Sequence, residues 1–336
     1  MRIGLALPHY DFSAPDGAPV TWESLAGWAR RAESLGYDSV WISDHYVLSL
    51  ARYGGPDEPY GSPEAMTALA ALAAVTERVR VGVLVLAAGF RHPALLAKEA
   101  VTVDLLSEGR LEVGLGAGWY ESEYEAFGHP FGTPGERFEV LEETVEVLAR
   151  LWGEEEPVTW EGRRFRLSEA YCRPRPARPG GPPIWVGGKG GPRLLRLVAR
   201  RAAGWNTVWT WTPQAYGERA RALDEACRRA GRDPSTVRRS VGLYTLVGED
   251  GADLRSRWDG FRRWAPGGAF EDASFEEWST DTLAGTVDQV VERLGEFARL
   301  KVEEVVVNPA PLPFAVANPE MVELVAAEVI PKAREL

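Results

Sequence analysis

The segment of residues 80–123 constrains the fold of this chain most, because it has the pattern of a strand, a helix and a second strand in quick succession. Its first strand, residues 81–86, is an unbroken apolar run of the kind found in a sheet buried on both faces. Pro93 suits the start of the helix, because the N–H group that proline lacks would have no partner within the helix there. Gly109 suits the end of the helix, where glycine is common. A second strand begins at Leu111. The segment therefore predicts a parallel crossover unit, and parallel α/β proteins build their sites at the carboxyl ends of such strands.

The same alternation of strand and helix recurs along the chain. Strands are expected at residues 3–7, 39–43, 81–86, 111–115, 184–186, 205–208, 240–247 and 304–307. Eight strands, each followed by a helix, predict an α/β fold of the TIM (β/α)8 barrel type, with a doubly wound open sheet as the alternative. Residues 152–183 and 248–282 interrupt the alternation, and we interpret them as insertions into a single barrel domain spanning residues 1–336.

Charge and composition narrow the classes of function. The formal net charge of -11 disfavours nucleic acid or an anionic membrane as a partner, and no apolar run approaches the ~18 residues of a membrane span. The histidines lack metal-ligand spacing, and Cys172 and Cys227 are expected to be unrelated reduced thiols. The N-terminus has the pattern of a first strand rather than a signal peptide. We therefore expect a cytoplasmic enzyme that acts on a small molecule without a metal.

Asp44 and His45 follow the second predicted strand, at the end of the barrel where sites form. A carboxylate beside an imidazole suits proton transfer, because histidine exchanges protons near neutral pH. The residues alone equally allow a helix N-cap at Asp44 with a half-exposed histidine beside it. Glu121 and Glu123, just beyond the fourth strand, can reach the same place, but we expect them to be solvated carboxylates.

A glycine-rich loop lies between the fifth predicted strand and its helix, and it consists of Gly187, Gly188, Lys189, Gly190 and Gly191. Successive glycines let backbone N–H groups converge, and the start of a helix adds positive potential, so the loop suits a phosphate group. The lysine would add a charge. The sequence matches neither the Walker loop nor the dinucleotide fingerprint, and a plain tight turn is the alternative.

The fourth predicted strand ends in Gly116, Ala117 and Gly118, followed by Trp119. Small residues here would let a planar ligand lie close to the backbone, and the indole ring could form one wall of its pocket. A tight turn before the next loop is the alternative explanation.

Taken in order, these segments resemble the luciferase-like monooxygenase superfamily, in its group of coenzyme F420-dependent oxidoreductases. The matching segments are residues 38–45, 82–85, 90–93, 106–110, 114–119, 161–165 and 182–188. The resemblance spans roughly residues 1–210, and from about residue 215 onward the chain matches only in its pattern of elements.

The resemblance implies a barrel with insertions, usually a homodimer, that binds coenzyme F420 or flavin mononucleotide (FMN) at the strand carboxyl ends. It places a non-proline cis peptide at Leu84-Val85, in a bulge of the third strand behind the cofactor ring. It assigns Asp44 and His45 to the ring edge as catalytic residues. The cofactor-binding residues that we expect are Leu84, Val85, Gly116, Ala117, Gly118, Trp119, Gly187, Gly188, Lys189 and Gly190.

One departure from the family pattern bears on the substrate. Relatives that oxidise sugar phosphates place a glutamate where this chain has Trp119, so we do not expect sugar-phosphate oxidation. We expect hydride transfer between reduced F420 and a small organic substrate, with His45 or a nearby donor handling the proton. An FMN-dependent monooxygenase that uses oxygen and a separate reductase is the alternative, and a non-catalytic cofactor-binding protein is a third hypothesis.

Overall fold

A closed ring of eight parallel strands forms the centre of the computed structural model, which describes residues 1–153 and 155–336. The ring strands are β1 (Arg2–Ala6), β2 (Ser39–Ile42), β3 (Arg80–Ala87), β4 (Leu111–Gly116), β5 (Ile184–Gly187), β6 (Gly204–Trp209), β7 (Arg238–Gly248) and β8 (Glu304–Asn308). Each strand pairs with the next one along the chain, and β8 pairs with β1. The predicted barrel is confirmed and the open sheet is wrong. All eight strands lie within a residue or two of their predicted bounds.

Helices surround the ring. They are α1 (Trp22–Ser34), α2 (Ala65–Val75), α3 (Pro93–Leu106), α4 (Glu121–Ala126), α5 (Pro134–Trp152), α6 (Pro192–Arg201), α7 (Pro213–Arg229), α8 (Gly251–Trp264), α9 (Phe275–Trp278), α10 (Val287–Arg299), α11 (Pro319–Leu324) and α12 (Ile330–Ala333). Local sequence explains several of their starts. Thr21 and Thr133 cap α1 and α5 in reciprocal capping boxes, and a proline begins α3, α5, α6 and α7.

The structure contains short elements that the sequence pattern does not predict. The hairpin of Val158–Glu161 with Arg166–Ala170 is found as expected in the first insertion. At the end of the second insertion, however, Leu283–Thr286 adds an unpredicted strand parallel to β7. The antiparallel pair Val47–Leu48 and Tyr60–Gly61 follows β2, and α4 follows β4. These last two elements matter because they carry walls of the site described below.

Two tryptophans fill the interior of the barrel. Trp41 on β2 lies over Gly82 of β3, where an added Cβ would come within 2.3 Å of the indole ring. Trp185 on β5 lies over Gly204 of β6 in the same way, at 2.4 Å. Both indoles are buried. The glycines of these strands therefore serve the packing of the interior, because a larger residue would displace a fully buried ring.

A network of charged residues closes the amino end of the barrel. Arg80 bridges two buried carboxylates, lying 3.3 Å from Oε1 of Glu112 and 2.7 Å from Oε2 of Glu304. Arg238 approaches the second oxygen of Glu112 at 3.2 Å. Burial alone would raise the pKa of Glu304, but the charge of Arg80 and a hydrogen bond from Ser39 outweigh it and hold that pKa below its ordinary value.

Other features of the described chain bear on the function classes considered above. No helix in the described residues is long and apolar enough to cross a bilayer. Nor do residues 1–153 and 155–336 bring together three His, Cys, Asp or Glu side chains in a group that could hold a metal ion. Cys172 and Cys227 are both buried free thiols.

Candidate functional site

A cavity of about 760 Å³ opens at the carboxyl ends of the barrel strands. The predicted site residues that line it are Asp44, His45, Leu84, Val85, Gly116, Ala117, Gly118, Trp119, Gly187, Gly188 and Lys189. Gly190 is the exception, because it lines a separate groove between α6 and α7. The fold therefore brings together residues from four strand ends, as expected for a parallel barrel.

The bulge in β3 forms the floor of this cavity. The pairing of β3 with β4 shifts register between Val83 and Leu86, and the Leu84-Val85 peptide bond is cis, at the position that the resemblance assigns. A Cβ added at Gly116 or Gly187 would come within 2.5 Å of a methyl group of Val85. These two glycines therefore leave room for a neighbouring side chain, which differs from the predicted reason that they expose backbone to a ligand.

Asp44 is buried, and both of its carboxylate oxygens are hydrogen-bonded to neighbouring groups. Its two carboxylate oxygens accept hydrogen bonds from both terminal nitrogens of Arg91, each at 2.7 Å, and Oδ2 also accepts the N–H of Ala87 at 2.9 Å. Burial would lower the pKa of Arg91, but the hydrogen bonds and charge of Asp44 raise it overall. The N-cap alternative is wrong, because no helix begins here. Asp44 instead fixes the end of β3 beside the cavity.

His45 is oriented by a second buried carboxylate, Glu123 of α4. Its Nδ1 lies 2.9 Å from Oε2 of Glu123, and Oε1 accepts the backbone N–H groups of Tyr46 and Val47. The expectation that Glu123 is solvated is wrong, since only 1% of the residue is exposed; Glu121 is exposed as expected. Because the carboxylate accepts from Nδ1, the other ring nitrogen of His45 is not engaged by Glu123, and the residue lines the cavity.

A third set of hydrogen-bonded polar residues begins just after β1 and reaches the cavity. Nδ1 of His9 lies 2.9 Å from the carbonyl oxygen of Leu7, so this nitrogen carries the proton. Nε2 then accepts from the N–H and the hydroxyl of Ser43, at 3.2 and 3.0 Å. Since the Ser43 proton is used in this way, the Tyr10 hydroxyl donates to Ser43, and Tyr10 lines the cavity. Burial lowers the pKa of His9 to about 4, so its ring is neutral near pH 7.

The loop between β5 and α6 is held in place by hydrogen bonds that leave several amides free. Gly188 donates its N–H to the carbonyl of Asn206 at 3.0 Å and accepts from the Trp205 indole at 2.9 Å. The next three backbone N–H groups, from Lys189 to Gly191, donate no hydrogen bond within the described residues. The side chain of Lys189 donates to the carbonyl of Val208, and burial lowers its pKa. Free amides at a helix start suit an anion.

One buried hydroxyl beside this loop has no partner. Within residues 1–153 and 155–336, Oγ1 of Thr207 is buried and makes no hydrogen bond, although Thr207 lines the cavity. A buried polar group without a partner costs free energy, on the order of 1–3 kcal/mol. Together with the free amides of the loop, it fits a ligand that brings hydrogen-bond acceptors to this side of the cavity.

Aromatic rings form the remaining walls. Trp209 stacks on Tyr244 with ring centres 5.4 Å apart, and Phe314 meets Trp209 edge-on at 5.0 Å. Trp119 lies edge-on to His45 at 5.5 Å, and the guanidinium of Arg52 lies 4.2 Å above the Trp119 ring. The cavity therefore has a largely apolar interior with one imidazole edge and one amide-rich edge.

Comparison with known proteins gives a consistent result. The pattern of the family described as luciferase-like monooxygenase matches residues 1–304. An F420-dependent glucose-6-phosphate dehydrogenase from Intrasporangium calvum is 36% identical over 241 residues, which cover 70% of this chain and 68% of that protein. A solved F420-dependent secondary alcohol dehydrogenase, in complex with an F420-acetone adduct, has a TM-score of 0.78 at 21% identity over 99% of both chains. The monooxygenase RslO1 from Streptomyces bottropensis has a TM-score of 0.77 at 25% identity, covering 98% of this chain and 99% of that one.

The closed ring with its cavity at the strand carboxyl ends places the protein among the (β/α)8 barrels, and the solved structures share that fold. The chain belongs to the luciferase-like monooxygenase family. The resemblance predicted from the sequence motifs is therefore confirmed.

Proposed function

We propose that this protein is a coenzyme F420-dependent oxidoreductase that transfers a hydride between the reduced cofactor and a small organic substrate. The observation that carries the proposal is the His45–Glu123 pair at one edge of the cavity and the loop with free amides at the other. The relative from Intrasporangium calvum, which is named as F420-dependent, supports the choice of cofactor.

The residues present fit such a cofactor. The bulge at Leu84 and Val85 would back its ring, and the amides of Lys189 and Gly191, with the Thr207 hydroxyl that has no partner in the described residues, would hold its phosphate. When bound, the deazaflavin ring supplies or accepts the hydride. The protein contributes binding and orientation, and its aromatic walls exclude water from the ring.

His45 moves the proton that accompanies the hydride. Its Nε2 exchanges a proton with the substrate oxygen, and Glu123 stabilises the imidazolium while it exists. Asp44 acts as a positioning residue rather than an acid or base, because Arg91 and Ala87 occupy both of its oxygens. The sequence analysis predicted that Asp44 and His45 are both catalytic. In this proposal the histidine alone has the catalytic role.

The walls of the cavity favour a small alcohol or carbonyl compound over a sugar phosphate. Tyr10 offers a hydrogen-bond acceptor, and Tyr244, Trp209 and Phe314 offer apolar surface. Trp119 also supports this choice, because the resemblance to the family implies a glutamate at this position in relatives that oxidise sugar phosphates.

Titration of the purified protein with F420 and, separately, with FMN tests the cofactor. We expect at least tenfold tighter binding of F420, followed by a change in F420 absorbance when small secondary alcohols are added. Glucose 6-phosphate serves as the control substrate and is expected to give no turnover. Tight FMN binding without F420 binding, and oxygen consumption with reduced FMN, would instead establish the monooxygenase alternative.

We further propose a single barrel domain over residues 1–336 that forms a homodimer in the cytoplasm. Support for the dimer comes from α3, whose surface leaves Leu95, Leu105 and Leu106 between 40% and 55% exposed. A separate reductase that supplies reduced cofactor belongs to the same proposal. Sedimentation velocity tests the assembly, and a monomer at micromolar concentration would contradict it.

A further inference from the structure

One arginine at the mouth of the barrel cavity has no acidic partner. Arg52 lies on the short 3₁₀ turn Ala51–Tyr53, between the two strands of the antiparallel pair that follows β2, and it lines the cavity. The residue is exposed, and its guanidinium lies 4.2 Å from the ring centre of Trp119 and 5.6 Å from that of Tyr53. Within residues 1–153 and 155–336, none of its five N–H donors makes a hydrogen bond.

The acidic side chains of the cavity are already paired with other groups. Of the described residues that line it, only Asp44 and Glu123 carry a carboxylate. Asp44 pairs with Arg91 at 2.7 Å, and Glu123 pairs with His45 at 2.9 Å. Arg52 therefore gives the cavity mouth a positive charge that no lining carboxylate neutralises, on a chain whose net charge is -11. Such a local excess of positive charge attracts an anion.

Trp119 contacts both Arg52 and His45. The guanidinium lies above the indole ring, and the imidazole meets the indole edge-on, with 5.5 Å between the ring centres. Trp119 is 43% exposed, so a small molecule that lies along it can place one end at His45 and the other at Arg52. The cofactor phosphate is proposed to bind at the amide-rich edge of the cavity, on the amides of Lys189 and Gly191. Arg52 therefore belongs to the substrate side of the cavity.

We propose that Arg52 binds a carboxylate of the substrate, so that the enzyme acts on small hydroxy acids and the corresponding oxo acids, an inference that rests on the function proposed above. A guanidinium and a carboxylate pair through two parallel hydrogen bonds. The rings of Trp209, Tyr244 and Phe314 would contact the carbon chain of the acid. In the oxidation, the carbinol C–H bond breaks and its hydride passes to oxidised F420. The hydroxyl proton passes to His45, and the carboxylate is unchanged.

Steady-state turnover of paired substrates tests the role of the carboxylate. The probes are 2-hydroxybutanoate, 3-hydroxybutanoate and 4-hydroxypentanoate, each compared with its uncharged primary amide in the presence of F420. We expect at least one acid to have a kcat/KM about ten- to 100-fold above that of its amide, because a hydrogen bond to a charged group contributes on that scale. A ratio of one or less for all three acids would overturn the inference.

Variants of Arg52 test whether this residue is responsible for the preference. Arg52→Gln should reduce the ratio of acid to amide to about one, through a higher KM for the acid, because the pairing contributes to binding. Arg52→Lys keeps the charge but not the planar fork, so it should keep part of the ratio. The matched control is Arg30→Gln, at an exposed position of α1 outside the cavity, and it should keep the full ratio. If Arg52→Gln lowers kcat/KM for acid and amide alike, Arg52 supports the cavity wall and does not bind the substrate.

A calorimetric titration measures the same preference without turnover. The protein is first saturated with F420, so that the loop amides are occupied, and is then titrated with butanoate and, separately, with butanamide. The wild type should bind butanoate about tenfold more tightly than butanamide, and Arg52→Gln should bind the two equally. Equal binding of the two by the wild type would overturn this inference, although the enzyme would still use F420. If F420 itself does not bind, the proposed function fails, and this inference fails with it.

Discussion

The two ends of the barrel are built from the same strands, yet the buried carboxylates have different kinds of partner at each end. At the amino end, Glu112 and Glu304 are bridged by Arg80, and the charges neutralise one another. At the carboxyl end, the buried Glu123 holds a histidine that faces a cavity of about 760 Å³. Both ends contain buried carboxylates, but the one at the carboxyl end is paired with a histidine that lines a cavity.

The burial of a carboxylate does not by itself show whether its role is structural or functional. A buried carboxylate whose partners are all protein groups holds strands together, and its removal exposes an unpaired charge. A buried carboxylate that orients a histidine toward a cavity supports chemistry. We therefore expect variants at the amino end to change stability and variants at the carboxyl end to change turnover.

The largest effect is expected at the amino end. Glu304→Gln leaves Arg80 with one carboxylate fewer in a buried setting, so the free energy of unfolding should fall by about 3–5 kcal/mol. Urea denaturation measures it. The matched control is Glu303→Gln, since Glu303 is an exposed neighbour that pairs with Arg2 at 3.1 Å, and it should cost less than about 1 kcal/mol. Equal losses for the two variants would contradict the structural role of Glu304.

At the carboxyl end, His45→Ala should lower kcat by roughly 100-fold or more, because general acid–base catalysis contributes on that scale. Steady-state turnover with F420 and an alcohol measures it. The free energy of unfolding should fall by less than the loss expected for Glu304→Gln, because the buried Glu123 keeps the backbone N–H groups of Tyr46 and Val47 as partners. Unchanged turnover would support the non-catalytic hypothesis and overturn the proposed proton transfer.

A smaller loss of turnover is expected from Glu123→Gln. The neutral amide cannot stabilise a charged imidazolium, and a hydrogen bond to a charged group contributes about 1.5–3 kcal/mol, so kcat should fall roughly ten- to 100-fold. Glu121→Gln, on the exposed first turn of the same helix, is the control and should leave kcat unchanged. If both variants behave like the wild type, Glu123 does not orient the catalytic histidine.

The smallest effect concerns pH. The pKa of His9 is about 4 in the folded protein and about 6.5 in the unfolded chain, so the unfolded state takes up its proton first as the pH falls. The stability due to neutral His9 is complete above about pH 6.5, and it falls by about 2 kcal/mol between pH 7 and pH 5.

His9→Gln removes this titration. Urea denaturation at both pH values should show that the stability advantage of the wild type over the variant shrinks by about 2 kcal/mol at pH 5. An advantage that stays constant between the two pH values would mean that His9 is not held neutral by burial.

Sequence reasoning succeeded where the signal was local. Apolar runs and proline or glycine at element ends located all eight strands, and the motif at Asp44 and His45 located the site edge. It did not predict α4, because a helix of six residues gives little periodicity. For the same reason it did not predict that Glu123, which lies on α4, is buried. Arg91 was visible in a matching segment, but nothing in the sequence connects it with Asp44.

The sequence by itself determined the order of strands and helices, and therefore which residues stand at strand ends, because hydrophobic periodicity and capping act over a few neighbouring residues. Only the tertiary structure decided that His45 meets Glu123, that Val85 fills the space above Gly116 and Gly187, and that Arg219 packs on Gly190. Those contacts join residues far apart along the chain, and the closed ring with its packed helices is what brings them together.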